Sequence, residues 1–422
     1  MDSMIERNLE EAESRTWDLL VVGGGIYGAT LALEAARRGL AALVVERGGF
    51  GKETTWNSLR IVHGGLRYLQ SLDLPRFRES VRERRWFLRH FPDLVRPLPC
   101  LMPLYDPPRG GALRRPSVFR MALRINDLLS RERALPPGRL LSVAETEELF
   151  PTVDRAGLRG GALWHDAVAP DPRRLVIEIL RRACRSGSSA LERVEALEML
   201  VEQERAAGIR AVDRESGRSL TLRARSVVNC AGPWCGEVAR RLDRRLDRDI
   251  PGLFRPALAF NLLLDREPLS RAALAVAAGE PRAQTWFLLP SEGKLLAGTA
   301  YAPVPRGSSG EEGPDEVRIG DFLAALNAAL PGFGIGRGEV LDVLWGRLPA
   351  RTAGGTVLAS RPVVFDHGAA GGPEGLLSVS GVKLTTARAV AERALAVLSR
   401  RGGRPAPSTP LPGKAAMEGR SA

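Results

Sequence analysis

Apolar residues first gather at Asp18-Leu-Leu-Val-Val22, a short unbroken run that stops at Gly23-Gly24-Gly25. From Ile26 to Arg38 the apolar positions recur at helical spacing, and Gly39 closes the segment. Ala41 to Val45 is a second unbroken run, ending at Glu46. Runs apolar at every position fit parallel strands covered on both faces, so the pattern predicts strand, glycine turn, helix and strand, a βαβ unit. Residues 1–15 ahead of it are polar and are expected to be a disordered tail.

After a loop-rich stretch from Gly48 to Gly65, a charged helix is predicted over Leu74 to Phe91. Residues 97–118 are rich in Pro, Gly and Arg. Ser117 to Leu129 reads as a helix with an apolar stripe at 118, 121, 122, 125, 128 and 129, leaving Arg120 and Arg124 outside it. A further helix is predicted over Asp171 to Ser186, and strands over 192–200, 209–213 and 220–222. Ser226 to Cys230 is another buried-strand candidate, running into Ala231-Gly232. Between Arg255 and Pro303 the pattern changes to antiparallel hairpins, with Ala259–Leu264, Trp286–Pro290 and Leu295–Gly298 as strands around the Ser291-Glu-Gly293 turn. Leu376 to Ser380 is a late strand, followed by a helix over Thr385 to Arg400. Residues 403–422 are Pro- and Gly-rich and expected to be disordered.

The glycine turn reads Gly23-Gly24-Gly25-Ile26-Tyr27-Gly28 and fits GxGxxG between a strand and a helix. Gly23 permits the tight turn, Gly25 lets a pyrophosphate approach the backbone, and Gly28 lets helix and strand pack closely. The helix N-terminus offers free N–H groups and a positive dipole end. Glu46, eighteen residues after Gly28, can accept hydrogen bonds from ribose hydroxyls. This much serves NAD or FAD. Two distant segments favour FAD: the Val227-Val-Asn-Cys-Ala-Gly-Pro-Trp234 strand beneath the dinucleotide, and the strand–turn–helix at Leu376 to Arg388. The helix start there can face the flavin pyrimidine and stabilise negative charge on the reduced ring.

Composition adds limits. An apolar fraction of 44% and a charged fraction of 26% fit a globular protein with a sizeable core, and 422 residues suggest more than one unit. The net charge of +12 comes almost wholly from Arg, with Lys only at 52, 294, 383 and 414, and reads as compositional background. Four scattered cysteines exclude a disulfide framework, and the four histidines lie too far apart for metal-ligand spacing, so no metal is expected. No signal pattern or spanning run is visible, which points to the cytoplasm. Nucleic acid is not an expected partner, with aromatics at 5% and no binding motif.

Thr54-Thr-Trp-Asn-Ser-Leu-Arg-Ile-Val-His-Gly-Gly-Leu-Arg-Tyr-Leu69 resembles the flavin-adjacent segment of FAD-dependent glycerol-3-phosphate dehydrogenases, in the D-amino-acid-oxidase-like superfamily. His63 to Tyr68 is the most specific part. Gly381-Val-Lys-Leu-Thr-Thr386 is similar to the family's GGKLTT with Val382 for its second glycine, and Trp164 to Leu175 and Val227 to Trp234 also look similar. The resemblance implies an α/β fold: a discontinuous Rossmann-like FAD-binding domain (16–95, 150–245 and 355–402) and an inserted α+β substrate or cap domain on an antiparallel sheet (96–149 and 246–354). It implies oxidation of sn-glycerol 3-phosphate to dihydroxyacetone phosphate, with hydride passing to FAD and electrons to quinone or another acceptor.

The resemblance also assigns residues. Flavin contacts fall on Gly23, Gly25, Ile26, Tyr27, Gly28, Glu46 and Arg47, then on Thr54, Thr55, Ser58, Arg60, His63, Gly64, Gly65 and Leu66. Others fall on Val194, on Ala231, Gly232 and Trp234, and on Gly381, Lys383, Leu384 and Thr385. Arg67, Tyr68, Arg347 and Arg361 fall at substrate positions, and guanidinium forks match phosphate oxygens. His63, Arg347 and Lys383 fall at the reacting centre. An imidazole titrates in the range suited to taking a hydroxyl proton; the alternatives are His63 as loop-orderer, with Lys383 or water as base.

Three departures from the family pattern stand out. Its Lys-Gly-Ser-His stretch corresponds to Arg255-Pro-Ala-Leu258 here, a long C-terminal domain has no counterpart in these residues, and Trp56 and Leu59 replace small polar residues. They leave open a related oxidase of a small hydroxy or amino acid, and a flavin-holding component without turnover. Family membership also implies a homodimer and peripheral contact with the inner face of the cytoplasmic membrane, for which the 116–129 helix behind Arg114 and Arg115 is the candidate.

Overall fold

In the computed structural model, which describes residues 5–70, 72–109, 111, 114–130, 135–245, 250, 253–277, 284–304 and 312–400, the βαβ unit forms as its pattern predicts. Leu19–Val22 and Ala42–Glu46 pair in parallel, and the helix Ile26–Ala36 connects them. They lie inside a six-stranded sheet. Its order is Val363–Asp366, Leu376–Ser380, Val227–Asn229, Leu19–Val22, Ala42–Glu46 and Ser189–Glu192. The first pair is antiparallel and the rest are parallel. This brings the late strand and the 227–229 strand to the same sheet as the glycine turn, although they lie far away in sequence.

Helices Ile26–Ala36, Pro172–Cys184 and Ala387–Arg400 cover one face through Leu33, Ile179 and Leu395. A four-stranded sheet covers the other, made of Thr16–Trp17, Ser219–Ala224, Arg205–Asp213 and Val194–Glu202. Trp17, Leu20, Val45 and Ile209 form the core between the two sheets. Both faces of the central strands are therefore buried, which is why they read as continuous apolar runs.

A nine-stranded sheet forms the second layer system. It runs from Val340–Pro349 through Pro256–Leu264, Lys294–Pro303, Thr285–Ser291, Ala273–Ala277, Arg96–Tyr105 and Leu158–Val168 to Ile61–Val62; Arg139–Leu141 pairs beside Leu158–Val168. Its pairings are antiparallel except that of Ala273–Ala277 with Arg96–Tyr105. Helix Glu316–Ala329 packs Phe322 and Leu326 on one side, and helix Pro116–Ser130 packs Phe119 and Leu123 on the other.

Four details differ from the sequence expectations. Residues 5–15 are not a disordered tail: Leu9–Ser14 is a helix capped by Asn8, Ala12 is buried, and Trp17 Nε1 donates to Ala12 O at 3.1 Å. Residues 1–4 and 403–422, expected to be disordered, lie outside the described residues, as do 401 and 402. The Pro-rich 97–105 stretch is a long strand. Its prolines at 97, 99 and 103 lie where the strand has a partner only on its other side, because the second neighbour pairs only at Cys100 and Leu101, so no ladder bond is lost. The strand Leu158–Val168, expected with the dinucleotide-binding part, belongs to the nine-stranded sheet. Lastly, the 116–130 helix buries Phe119, Ala122 and Leu123, and leaves Val118, Met121, Leu128 and Leu129 exposed, so the stripe expected along it is mostly its outer face.

Candidate active site

The glycine turn is dictated by close approach. Gly23 has φ +111°, and a Cβ there would lie 2.6 Å from Cys230 O. A Cβ on Gly28 would lie 1.9 Å from Gly23 O, so helix and turn touch backbone to backbone. At Gly25 the situation is different: an added Cβ would meet only Thr55 Oγ1 at 3.3 Å, and as helix N-cap Gly25 brings no side chain to the first-turn N–H groups. Thr55 Oγ1 takes the Ile26 N–H at 3.2 Å. The remaining first-turn donors and the positive dipole end are of the kind that suits an anion.

Glu46 closes this cradle. One carboxylate oxygen accepts the Gly24 N–H at 2.7 Å and the other the Gly48 N–H at 2.8 Å. Burial raises its carboxyl above the usual range, against those two hydrogen bonds and Arg47. Arg47 in turn stacks over Trp234 at 4.0 Å. Val194 begins the strand beside this corner, where Arg193 N–H donates to Gly48 O.

The 381–386 turn is tied to the helix start by Tyr27. Its hydroxyl donates to Lys383 O at 3.0 Å and receives Lys383 N–H at 3.3 Å, and a Cβ on Gly381 would lie 2.2 Å from it. Burial pushes the phenol up to about 12, so the hydroxyl stays protonated as a donor. Thr385 Oγ1 accepts the His63 N–H at 3.1 Å, joining the turn to the Ile61–Gly65 segment. Leu384–Thr386 is a 3-10 turn leading directly into the last helix.

His63 does not stand by itself. Its Nδ1 lies 3.2 Å from Asp166 Oδ2, and Asp166 Oδ1 accepts the Gly64 N–H at 2.6 Å and Arg84 Nη1 at 3.2 Å. Arg84 also donates to His165 O at 2.7 Å. Burial works against ionisation of Asp166, yet the His63 hydrogen bond and charge, then Arg84 and Gly64, hold its carboxyl at about 2. With a carboxylate on Nδ1, the neutral imidazole carries its proton there and its lone pair on Nε2. The ring is 39% exposed and lies 5.7 Å from that of Phe287.

Cations gather around Tyr68, five residues along the chain from His63. Lys383 Nζ sits 4.1 Å over the Tyr68 ring, and burial followed by the Arg67 charge brings its ammonium down to about 8. Arg67 acts electrostatically on Arg114 and Tyr301 as well. Among the described residues no carboxylate forms an ion pair with Arg67, Arg114 or Lys383. Arg361 lines a cavity with Tyr68, Arg76, Lys383 and Arg393. Arg347 sits on the Val340–Pro349 strand opposite Leu258, and burial lowers its guanidinium. That strand is held over the 54–57 loop, with Asn57 Nδ2 donating to Trp345 O at 2.6 Å and Gly346 against Thr54.

The model of the family described as FAD dependent oxidoreductases matches residues 18–396. The chain belongs to that family. It is 30% identical over 426 residues to the glycerol-3-phosphate dehydrogenase of Synechocystis sp., covering 96% of this chain and 75% of that one. It is 34% identical over 297 residues to the alpha-glycerophosphate oxidase of Streptococcus pyogenes, covering 69% and 47%. The structure of glycerol-3-phosphate dehydrogenase from Bacillus halodurans complexed with FAD superposes with a TM-score of 0.72 at 25% identity, covering 95% of this chain and 68% of that one. As a family member this chain is an oxidoreductase whose cofactor is FAD, and its own residues fit that group: the uncapped helix start at Gly25, Glu46, and the Ala231–Trp234 and Gly381–Thr385 turns meet at the C-terminal ends of the central strands.

In this FAD-dependent oxidoreductase every residue assigned a cofactor, substrate or catalytic role from the sequence lies among the described residues. Two clusters form, one around Gly23–Gly28, Glu46, Arg47, Val194 and Trp234, the other around His63–Tyr68 and Lys383–Thr385. Arg60 turns away from the second: it is buried with φ +65°, lies 4.9 Å over Trp56 and donates to Ser291 Oγ at 2.9 Å. The altered Arg255–Leu258 stretch pairs directly with Leu348 and Arg347. Sequence reading missed Asp166, Arg84 and Tyr301, and singled out Arg114 only for its place ahead of the 116–129 helix. The signal for Asp166 was a charged residue at the end of the Ala162-Leu-Trp-His-Asp166 run, within a stretch already noticed for its resemblance. Among the described residues no helix is long and apolar enough to cross a membrane.

Proposed function

We propose that the protein oxidises sn-glycerol 3-phosphate to dihydroxyacetone phosphate. The observation that carries this reading is the Gly381–Thr386 turn, which through Thr385 holds the backbone of His63, itself paired with Asp166, and which carries Lys383 within the field of Arg67. Bound FAD supplies the acceptor for the hydride that leaves the carbinol carbon. Asp166 holds His63 by Nδ1, so Nε2 takes the hydroxyl proton. Arg67, Arg347 and Lys383 hold the phosphate, with Tyr68 as the wall behind the ammonium and Arg361 at the outer edge. In this reading the six- and four-stranded sheets with their helices hold the flavin, and the nine-stranded sheet forms the substrate side.

Anaerobic addition of sn-glycerol 3-phosphate should bleach the flavin's visible absorbance. Bleaching by a small amino or hydroxy acid but not by the phosphate ester would replace this reading with the oxidase alternative. Because Lys383 titrates at about 8 in the free protein, its charge is lost above that pH and kcat/KM for the dianion should fall there. The same profile in Lys383→Met would refute that role.

The exposed row Val118, Met121 and Leu128 suits contact with a membrane surface, from which a quinone would draw the electrons. Co-sedimentation with anionic vesicles should be lost in Met121→Glu/Leu128→Glu; binding that survives the double change would rule that surface out.

A further inference from the structure

Behind the flavin site lie four buried polar side chains that the chemistry above does not use. Asp243, His367, Ser378 and Asn229 are each no more than 1% exposed. His367 Nδ1 lies 2.8 Å from Asp243 Oδ2, and His367 Nε2 lies 2.9 Å from Ser378 Oγ. Asn229 Nδ2 donates to Ser378 Oγ at 3.1 Å and to Cys235 O at 2.8 Å, while Asn229 Oδ1 accepts the Ala231 N–H at 3.1 Å. Four elements contribute: the end of the helix Cys235–Leu242, the turn after Val363–Asp366, and the two central strands Leu376–Ser380 and Val227–Asn229.

Serine, histidine and aspartate in this order have the connectivity of a hydrolytic triad, but no substrate reaches a serine hydroxyl this deep in the sheet. The hydrogen bonds instead fix one direction. Ala231 donates to Asn229, Asn229 to Ser378, Ser378 to His367, and His367 to the carboxylate of Asp243. Every donor in the chain has an acceptor only if His367 is neutral with its proton on Nδ1, and burial lowers its pKa in the same sense. Gly372 packs closely against this end of the chain: a Cβ there would lie 2.4 Å from Asp243 Oδ2 and 3.2 Å from His367 O.

The functional end of the chain is Asn229. Its amide clasps both ends of the Ala231–Trp234 turn, the Ala231 N–H and the Cys235 carbonyl. Gly232 in that turn has φ +54° with open space where a Cβ would be, and Trp234 supports Arg47. Buried polar chains stabilise a fold no better than apolar packing of the same volume, but each link left unpaired is costly, so they hold one geometry firmly.

We propose that Ser378, oriented by His367, is a positioning residue for FAD, acting through Asn229 to set the shape of the Ala231–Trp234 turn that the dinucleotide meets. The proposal rests on the reading of that turn as part of the flavin site. It is tested by reconstituting apoprotein with FAD and measuring the dissociation constant by flavin fluorescence, with apoprotein melting measured alongside. Ser378→Ala cuts the chain; Ser378→Cys keeps nearly the same volume and weakens the same two links. Both should weaken FAD binding, by about tenfold for the loss of a buried hydrogen bond between polar groups, and should alter the visible circular dichroism of bound flavin. Dissociation constants and spectra equal to the wild type, whether or not melting falls, would overturn the proposal. If Ser378→Ala does not fold, Ser378→Cys alone decides. A wild-type protein that takes up no FAD would instead overturn the reading of the site itself.

Discussion

Gly28→Ala is expected to purify without colour. The added methyl would lie 1.9 Å from the carbonyl oxygen of Gly23 and 3.1 Å from Val21 Cγ1. The first obstacle is backbone, so no rotamer change relieves it, and the helix Ile26–Ala36 must lift off its strand. Overpacking of this kind costs on the order of 1–3 kcal/mol where side chains can give way, and more where they cannot. The displacement falls on the helix start whose N–H groups would otherwise meet the pyrophosphate, so flavin binding suffers more than folding. The ratio of flavin to protein absorbance after purification measures it. Gly39→Ala is the control: φ is +73°, yet nothing lies within 4 Å of the new methyl. It should cost about 1–2 kcal/mol of backbone strain and remain yellow. A Gly28→Ala protein with full flavin content would show that the close contact is not needed.

Asp166→Asn is expected to lower kcat by roughly a hundredfold or more, the span associated with loss of a positioned general base, with flavin content unchanged. The substituted amide has a single oxygen. The Gly64 N–H at 2.6 Å and Arg84 Nη1 at 3.2 Å both require an acceptor, so the oxygen turns to them and the NH2 group faces His63. Nδ1 must then accept, and the imidazole proton moves to Nε2, the atom proposed to receive the proton of the substrate. KM should change little, because Arg67 and Lys383 are untouched. Unchanged kcat would remove His63 from the proton's path and leave Lys383 or water for that task. A large rise in KM with kcat intact would make Asp166 a shaper of the binding site instead.

Much of the flavin cradle was legible along the chain because it is built from local rules. Strand 19–22, the turn 23–25 and helix 26–36 follow from continuous apolar runs, three glycines and a helical period, and Glu46 follows from their spacing. The strands before the 231–234 and 381–386 turns were visible as buried runs that end in small residues. The helix 74–90 and the hairpins of 256–303 followed from their own periods. The strand at 96–105 did not, because its prolines contradict strand propensity until one knows which of its two edges carries a partner.

What only the tertiary structure decided is which side chains face one another. Asp166 and His63 are brought together where the strands Ile61–Val62 and Leu158–Val168 pair, with Ile61 opposite Val168 and Val62 opposite Ala167. Tyr27 reaches Lys383 because the first strand and the last parallel strand flank 227–229. The Asp243–His367–Ser378–Asn229 chain crosses the same sheet. Sequence period determines which residues are buried; strand order and register, selected by packing of the whole sheet, determine the polar partner each buried group finds. A hydrogen bond holds its two groups within about 3 Å, and no pattern in a window of ten or twenty residues specifies a distance between positions that lie hundreds apart.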